Sequence, residues 1–129
     1  FAVEPNLGRG RPVFITGYPA SQASLARVSK SNGYETAHRF ELYVDGLELC
    51  NGYWELTYPR EQRLRFEADN ELRSRSGKPE MELDEAFLAA LDQGLPECSG
   101  VALGLDRLLM LKLGVQDIRE VLAFPFERA

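Results

Sequence analysis

Residues 39–56, RFELYVDGLELCNGYWEL, predict a β-hairpin. Between residues 40 and 44 apolar side chains occupy every second position, which is the period of a strand with one buried face. Asp45-Gly46 is a strong signal for a two-residue type I′ turn, because both central residues of that turn need positive φ. A second strand is predicted over residues 47–55, so this stretch places two antiparallel strands side by side.

Outside the hairpin, strands and helices follow one another without a regular strand–helix–strand alternation. The other predicted segments are a strand at 13–16 ended by Gly17, a helical turn at 21–27, a loop at 30–33, helices at 59–75 and 84–93, a strand at 101–105, a helix at 107–113 ended by Gly114, and an apolar run at 121–126. Regular alternation would indicate a parallel sheet. We therefore predict an α+β fold, with a mainly antiparallel sheet flanked by helices.

The composition is that of an ordinary globular domain. The 129 residues are 44% hydrophobic and 27% charged, which is enough for one domain with a buried core. Fifteen basic and twenty acidic residues leave a formal charge of -5. That balance argues against a generic nucleic-acid-binding surface, because phosphate contacts need clustered Lys and Arg.

The cysteines and the histidine argue against a zinc site. Cys50 and Cys98 are far apart in the sequence and His38 is the only histidine, whereas a structural zinc ion needs four ligands. We expect two reduced thiols, as in a cytoplasmic protein.

No stretch approaches the roughly 20 apolar residues of a membrane span, so we expect no membrane association. The first residue is Phe1 and not Met, which suggests a piece of a longer protein.

The predicted turn also brings two carboxylates together. Counted outward from the turn, Tyr43 faces Glu48 and Glu41 faces Cys50, so Glu41 and Glu48 are diagonal neighbours on one face. Close carboxylates repel unless a cation lies between them, and Mg²⁺ shared with nucleotide phosphates is a suitable occupant. The alternative is that both are solvated beside Lys or Arg. The apolar residues of the other face are assigned to the core: Phe40, Leu42, Val44, Leu47 and Leu49.

Further along the second strand, Asn51, Tyr53 and Glu55 share a face by the period of two. Strict alternation would put them on the face opposite Glu48. Gly52 indicates that the strand is irregular here, because Gly inside a strand often marks a bulge. We predict one extra residue between Glu48 and Asn51, which would bring all these polar groups and Glu41 to one side.

Residues 98–110, CSGVALGLDRLLM, form a Gly-rich joint between a strand and a helix. Gly100, Ala102 and Gly104 alternate, so one strand face is nearly bare and can admit a flat ligand. Arg107 can stack its guanidinium on a base and offer charge to phosphate, and Asp106 suits a helix N-cap. The alternative is a buried strand packed under a helix, with Arg107 paired to a carboxylate.

Residues 104–108, GLDRL, resemble motif 3 of class II aminoacyl-tRNA synthetases, whose pattern is Gly-x-Asp/Glu-Arg. Residues 39–41 and 46–56 are similar to the segment that precedes motif 3 in the lysyl type of that family. The resemblance extends over residues 12–125 and implies the fold of a partial class II catalytic domain, with residues 1–129 as its C-terminal portion.

Within the lysyl type, three features resemble the short paralogues that attach (R)-β-lysine to elongation factor P. They are residues 19–26, PASQASLA, residues 96–104, PECSGVALG, and Ala102, which stands where true lysyl-tRNA synthetases usually carry Gly. One methyl group in a pocket is worth about 1–3 kcal/mol of discrimination, enough to shift a preference between α- and β-lysine.

The resemblance implies a role for each candidate residue. Glu41 and Glu48 correspond to carboxylates that bind Mg²⁺ bridging the ATP phosphates, and Arg107 to the motif 3 arginine that contacts ATP. The positions implied to line the lysine pocket are Asn51, Tyr53, Glu55, Ala102 and Gly104, with Glu55 the partner of the side-chain ammonium. The implied chemistry is attack of the amino-acid carboxylate on the α-phosphate, which gives an aminoacyl-adenylate that passes to a lysine of elongation factor P.

Motifs 1 and 2 of the family have no counterpart in this sequence, and motif 1 normally builds a homodimer. We therefore predict that the chain alone does not activate lysine, although a full-length parent would. Two alternatives are a portion of a genuine lysyl-tRNA synthetase, with tRNA as acceptor, and a non-catalytic module that binds nucleotide or a partner.

We also expect exposed apolar surface at Phe14, Ile15, Trp54 and Leu105.

Overall fold

The computed structural model describes residues 3–31 and 33–128. The strands are β1 (Val13–Pro19), β2 (Val28–Ser31), β3 (Tyr34–Val44), β4 (Leu47–Trp54) and β5 (Ser99–Leu103), and the α-helices are α1 (Pro59–Arg75), α2 (Glu85–Asp92) and α3 (Leu105–Leu113). Short 3-10 turns cover Glu4–Asn6, Ala20–Gln22, Ile118–Glu120 and Phe126–Arg128. None of the helices in the described residues is long and apolar enough to cross a membrane.

The strands form one antiparallel sheet, which runs in the order β1-β3-β4-β5, and β2 pairs with β3 off this path. The long strand β3 is the centre of the sheet, because it pairs with β1, with β2 and with β4. The prediction of an α+β fold with a mainly antiparallel sheet is confirmed.

The β3–β4 hairpin turns as predicted, but its pairing differs beyond the turn. Asp45 and Gly46 have φ of 49° and 78°, as a type I′ turn requires. Tyr43 pairs with Glu48, and the next pair is Leu42 with Cys50, so Leu49 is an extra residue. The predicted irregularity between Glu48 and Asn51 is therefore confirmed, although it lies at Leu49 and not at Gly52.

Because of this bulge, the predicted pairing of Glu41 with Cys50 is wrong. Glu41 pairs with Asn51, and Gly52 pairs regularly with Phe40. A bulge shifts every later side chain to the other face of the strand, since the side-chain period is two.

Several predicted boundaries also differ. Residues 28–31 form β2, which overlaps the loop predicted at 30–33, and their partner is the start of β3. Strand β5 ends at Leu103 and α3 already begins at Leu105. The N-cap of α3 is Gly104 and no side chain caps it, so the prediction of Asp106 as N-cap is wrong. In contrast, α1 begins at Pro59, where the fixed φ of proline suits the first helical turn.

The buried core is small and does not lie where the sequence placed it. A cluster of Ala23, Ala26 and Ala37 is packed by partly buried side chains of Tyr18, Val28 and Tyr53. Of the five apolar residues assigned to the core, Leu49 is buried, whereas Phe40, Leu42, Val44 and Leu47 are only half-buried.

The apolar face of the sheet is open among the described residues. Phe14, whose ring meets that of Phe40, is 59% exposed, and Val101 on β5 is 61% exposed. Leu105 is 73% and Trp54 38% exposed, as expected from the sequence, whereas Ile15 is half-buried. This open face explains why the hairpin residues expected in the core are only half-buried.

Gly52 leaves no space for a side chain on that face, and this predicts a stability effect. A Cβ at Gly52 would lie 2.5 Å from the Phe40 ring and 2.9 Å from the carbonyl of Gly100. We expect Gly52→Ala to lower the free energy of unfolding by about 1–3 kcal/mol, as overpacking does. The matched control is Gly104→Ala, whose Cβ would meet Arg107 at an ordinary 3.4 Å. Urea denaturation measures both, and equal midpoints would contradict the prediction.

Candidate functional site

The bulge at Leu49 brings the predicted polar residues onto one face of the sheet. Glu41 pairs with Asn51 and Tyr43 with Glu48, so these side chains point to the same side. Residues of β5 with small side chains lie beside them: Ala102 pairs with Asn51 and Gly100 with Tyr53.

An open cleft of about 420 Å³ occupies one end of this face. Its lining consists of Glu4, Arg39, Glu41, Tyr43, Gly46, Leu47, Glu48 and Arg107. The structure thus brings together Glu41, Glu48 and Arg107, the residues predicted for nucleotide and metal. It adds cationic Arg39, so the cleft carries charges of both signs.

Glu4 reaches this cleft because the segment before β1 crosses the hairpin turn. The backbone N–H of Gly46 donates to the carbonyl of Leu7 at 2.7 Å, and that of Asp45 to the carbonyl of Gly8 at 3.0 Å. A Cβ at Gly46 would lie 2.7 Å from the Pro5 carbonyl oxygen. The segment therefore rests directly on the turn and contributes Glu4 to the lining of the cleft.

Glu41 is a buried carboxylate whose oxygens are largely occupied. It is 5% exposed. Its Oε2 accepts hydrogen bonds from the hydroxyls of Tyr18 at 2.6 Å and Tyr43 at 2.7 Å, and its Oε1 accepts one from Arg39. Burial acts to raise the pKa of Glu41, but the two tyrosine hydroxyls and Arg39 outweigh it, so the pKa lies below its usual range. Burial and the hydrogen bond to Glu41 raise the pKa of each tyrosine.

Glu48 and Arg107 are more accessible. The Arg107 Nη1 donates to the backbone carbonyl of Glu48 at 2.7 Å and lies 3.8 Å from its carboxylate Oε2. The two side chains are 44% and 36% exposed, respectively. The predicted alternative, Arg107 paired to a carboxylate, is therefore present as a long ion pair with Glu48. Both side chains remain accessible to a ligand.

The carboxylates fit a magnesium ion that shares its ligands with phosphates. A carboxylate has about four acceptor positions, so Glu41 keeps one on Oε1, while Glu48 keeps most of its own. Within the described residues, no group of three or more His, Cys, Asp or Glu is arranged to hold a metal. Mg²⁺ commonly takes one or two carboxylates and completes its shell with water and substrate phosphates. Glu48, with a single position from Glu41, suits that arrangement.

Glu55 lies at the other end of the polar face, and no cation of the described residues pairs with its carboxylate. It is half-buried, and burial raises its pKa. No described residue donates a hydrogen bond or forms an ion pair with its carboxylate. Its Oε1 occupies the position where a Cβ on Gly100 would project. The bare strand face predicted at Gly100 is therefore filled by the Glu55 side chain and is not open to a flat ligand there.

The remaining predicted pocket residues lie between these two ends. Asn51 and Tyr53 are half-buried on β4, and Ala102 is exposed beside Asn51. Gly104 lies next to the Arg107 side chain, which its missing Cβ would touch at 3.4 Å.

Sequence reasoning missed two arginines that hold the site in shape. Arg39 bonds Glu41 and Asn51. Arg27 donates from Nε to the carbonyl of Glu55 at 3.1 Å and from Nη2 to the hydroxyl of Thr57 at 2.8 Å. The alternation around Glu41 could have marked Arg39 as a residue of the same face. Arg27 lies 28 positions from Glu55, and no local pattern indicates that contact.

The buried Glu41 predicts acid-sensitive stability. Glu41→Gln places an amide against groups that donate, so we expect the free energy of unfolding at neutral pH to fall by about 1–3 kcal/mol. Because the folded-state pKa is lowered, this stabilisation is present above the unfolded-state pKa of about 4.3 and is lost as pH falls through the folded value. Urea titrations from neutral pH to about pH 3 should show the wild-type–variant difference shrinking.

The matched control is Glu48→Gln, since the Glu48 side chain is 36% exposed and should contribute little. A difference between wild type and Glu41→Gln that stays constant over this pH range would contradict the prediction.

Comparison with known proteins identifies a family and close relatives of this chain. The sequence model of the family described as tRNA synthetases class II (D, K and N) matches residues 4–128. The elongation factor P–(R)-β-lysine ligase of Proteus mirabilis (strain HI4320) is 60% identical over 127 residues, which are 98% of this chain and 39% of that protein. The ligases of the same name from Hamiltonella defensa subsp. Acyrthosiphon pisum (strain 5AT) and Klebsiella pneumoniae (strain 342) are each 55% identical over the same shares.

The chain thus spans 39% of the length of these curated relatives. Nearly all of it, residues 4–128, matches the family. The chain belongs to the family of class II tRNA synthetases (D, K and N).

Proposed function

We propose that this chain carries the nucleotide- and amino-acid-binding part of an ATP-dependent ligase, and that the whole enzyme joins a lysine-like amino acid to a lysine of elongation factor P. One observation carries the proposal. A single face of the sheet has at one end a cleft that includes Glu48 and Arg107, and at its other end the carboxylate of Glu55, which has no partner among the described residues. The names of relatives that are 53–60% identical to the chain support this acceptor over tRNA.

The cations and carboxylates that line the cleft support the proposal that this end of the face binds a nucleotide. Use of ATP is general in this family, and phosphates need cations such as Arg107 and Arg39 around them. Glu48 and the free position of Glu41 would hold Mg²⁺, which supplies neutralisation of phosphate charge when bound.

The amino-acid end is supported by the environment of Glu55. A half-buried carboxylate without a partner is costly and becomes favourable when an ammonium binds beside it. Asn51, Tyr53 and Ala102 line the same face between Glu55 and the cleft. A ligand with an ammonium at one end and a carboxylate at the other, such as lysine or (R)-β-lysine, matches this order.

The proposed chemistry has two steps. A carboxylate oxygen of the amino acid attacks the α-phosphorus of ATP and pyrophosphate leaves, which gives an aminoacyl-adenylate. The amine of the acceptor lysine then attacks the acyl carbonyl, AMP leaves, and the amine loses a proton. Such reactions need positioning and charge neutralisation more than a nucleophilic side chain, and Arg107 and Glu48 can contribute both.

We further propose that the chain is the motif 3 portion of the catalytic domain and does not activate lysine by itself, because the family's motif 1 and motif 2 residues have no counterpart in it. A cytoplasmic location and a homodimeric full-length enzyme belong to the same proposal.

Calorimetric titration of the chain with ATP and MgCl₂ tests the nucleotide end. We expect binding that needs magnesium and that Glu48→Ala and Arg107→Ala each weaken about tenfold or more, since each removes a charge-assisted contact. Glu80→Ala and Arg60→Ala are matched controls, because both residues are exposed and neither lines the cleft. A chain that is folded by circular dichroism but binds no ATP would contradict the proposal for this cleft.

A second titration, with MgATP present, tests Glu55. Glu55→Gln keeps the shape of the side chain but removes its charge, so lysine and β-lysine should bind about tenfold or more weakly. Gly100→Ala should act in the same direction, because its Cβ would displace the Glu55 carboxylate. Norleucine, which keeps the α-amino group but lacks the side-chain ammonium, is the control ligand and should bind wild type and Glu55→Gln alike. Unchanged lysine binding would exclude Glu55 as the ammonium partner.

A further inference from the structure

Arg39 connects the nucleotide cleft with the amino-acid positions. It lies on β3, lines the cleft together with Arg107, and its side chain is 17% exposed. The guanidinium carbon is 4.5 Å from the ring centroid of Tyr18 and 5.9 Å from that of Tyr53. Stacking on these two rings and burial hold the Arg39 guanidinium between the cleft and the Asn51 side of the face.

Three hydrogen bonds fix its orientation. Nη1 donates to the backbone carbonyl of Gln22 at 2.8 Å, Nη2 donates to Oε1 of Glu41, and Nε donates to Oδ1 of Asn51 at 3.3 Å. A planar guanidinium that is stacked and bonded along its edges cannot turn without losing several contacts.

The hydrogen bond from Arg39 fixes the orientation of the Asn51 side-chain amide. A guanidinium only donates hydrogen bonds, so the amide oxygen must face Arg39 and the amide nitrogen must lie on the other side. No described residue accepts a hydrogen bond from this nitrogen. Asn51 lies beside Ala102 on the polar face, so its N–H groups are available to a ligand there.

We propose that Arg39 is a positioning residue for amino-acid binding and acts by holding the Asn51 amide with its nitrogen toward the ligand. This inference rests on the proposed function and deepens it. The pocket is then polarised, with hydrogen-bond donors at Asn51 and an acceptor carboxylate at Glu55. A ligand carboxylate is directed to the Asn51 end, next to the cleft in which the nucleotide phosphates would lie.

Glu41 supports the same arrangement. The hydroxyls of Tyr18 and Tyr43 occupy its Oε2 and leave Oε1 to Arg39. The guanidinium is therefore bound from one side by a buried, immobile carboxylate. A lysine at this position would keep the charge but could not bond Glu41 and Asn51 at the same time with one planar group.

The test compares L-lysine with cadaverine, which is lysine without its carboxylate, by calorimetric titration of the chain in the presence of MgATP. We expect wild type to bind lysine about tenfold or more tightly than cadaverine, because charge-assisted hydrogen bonds to the carboxylate stabilise the lysine complex by about that much. Arg39→Lys should bring this preference close to one, because the Asn51 amide can then turn over.

Asn51→Asp is the second variant. It keeps an oxygen for Arg39, so the contact and the fold are retained, but it offers no N–H to a carboxylate. We expect it to bind lysine more weakly than wild type and to prefer cadaverine. Urea denaturation of each variant shows whether stability has changed, and if Arg39→Lys does not fold, Asn51→Asp decides the question.

Four outcomes would overturn the inference. A structural role alone would make Arg39→Lys weaken lysine and cadaverine by the same factor, and Asn51→Asp with the wild-type preference would exclude a donor role for Asn51. Wild type that binds both ligands equally would overturn this inference and leave the proposed function standing. Wild type that binds neither ligand would overturn both.

Discussion

The polar face of the sheet exists because β4 contains one residue more than its neighbour can pair. Leu49 stands between Glu48, which pairs with Tyr43, and Cys50, which pairs with Leu42. In a regular ladder the side-chain period of two would send Asn51 and Glu48 to opposite faces. The bulge therefore brings to one face the cleft at Glu48 and the side chains of Asn51 and Glu55, which a regular hairpin would separate by the thickness of the sheet.

Three carboxylates on this face differ in their surroundings, and those differences suit different tasks. Glu41 is buried and bonded to Tyr18, Tyr43 and Arg39, so it stays ionised and organises its neighbours. Glu48 is partly exposed beside Arg107 and keeps acceptor positions free. The carboxylate of Glu55 is half-buried and pairs with no cation of the described residues, and burial raises its pKa. The same chemical group is thus found as a buried, largely occupied acceptor, as a partly exposed acceptor, and as an acceptor without a hydrogen-bond donor among the described residues.

The two faces of the sheet differ: side chains of one are held by hydrogen bonds, whereas large apolar side chains of the other are exposed to solvent. Arg39 on the polar face, and Arg27, which stacks over the ring of Trp54, bond across several segments and hold the site residues in place. On the apolar face, Phe14, Val101 and Leu103 are 45–61% exposed among the described residues. Apolar area of this kind contributes stability only when it is covered.

The sequence by itself determined the antiparallel hairpin, the start of α1 at Pro59 and the α+β class, because turn chemistry, proline and apolar periodicity act within a few residues. It also indicated that β4 is irregular and that Glu41, Glu48 and Asn51 belong together. The tertiary structure decided where the bulge lies, how far Glu41 is buried and which side chains hold it. It also decided that Glu55 fills the space at Gly100. These outcomes depend on contacts between residues that are distant in the sequence, such as Tyr18 with Glu41 and Arg27 with Glu55. No local pattern encodes such contacts, since burial and hydrogen-bond partners are fixed only when all strands are assembled.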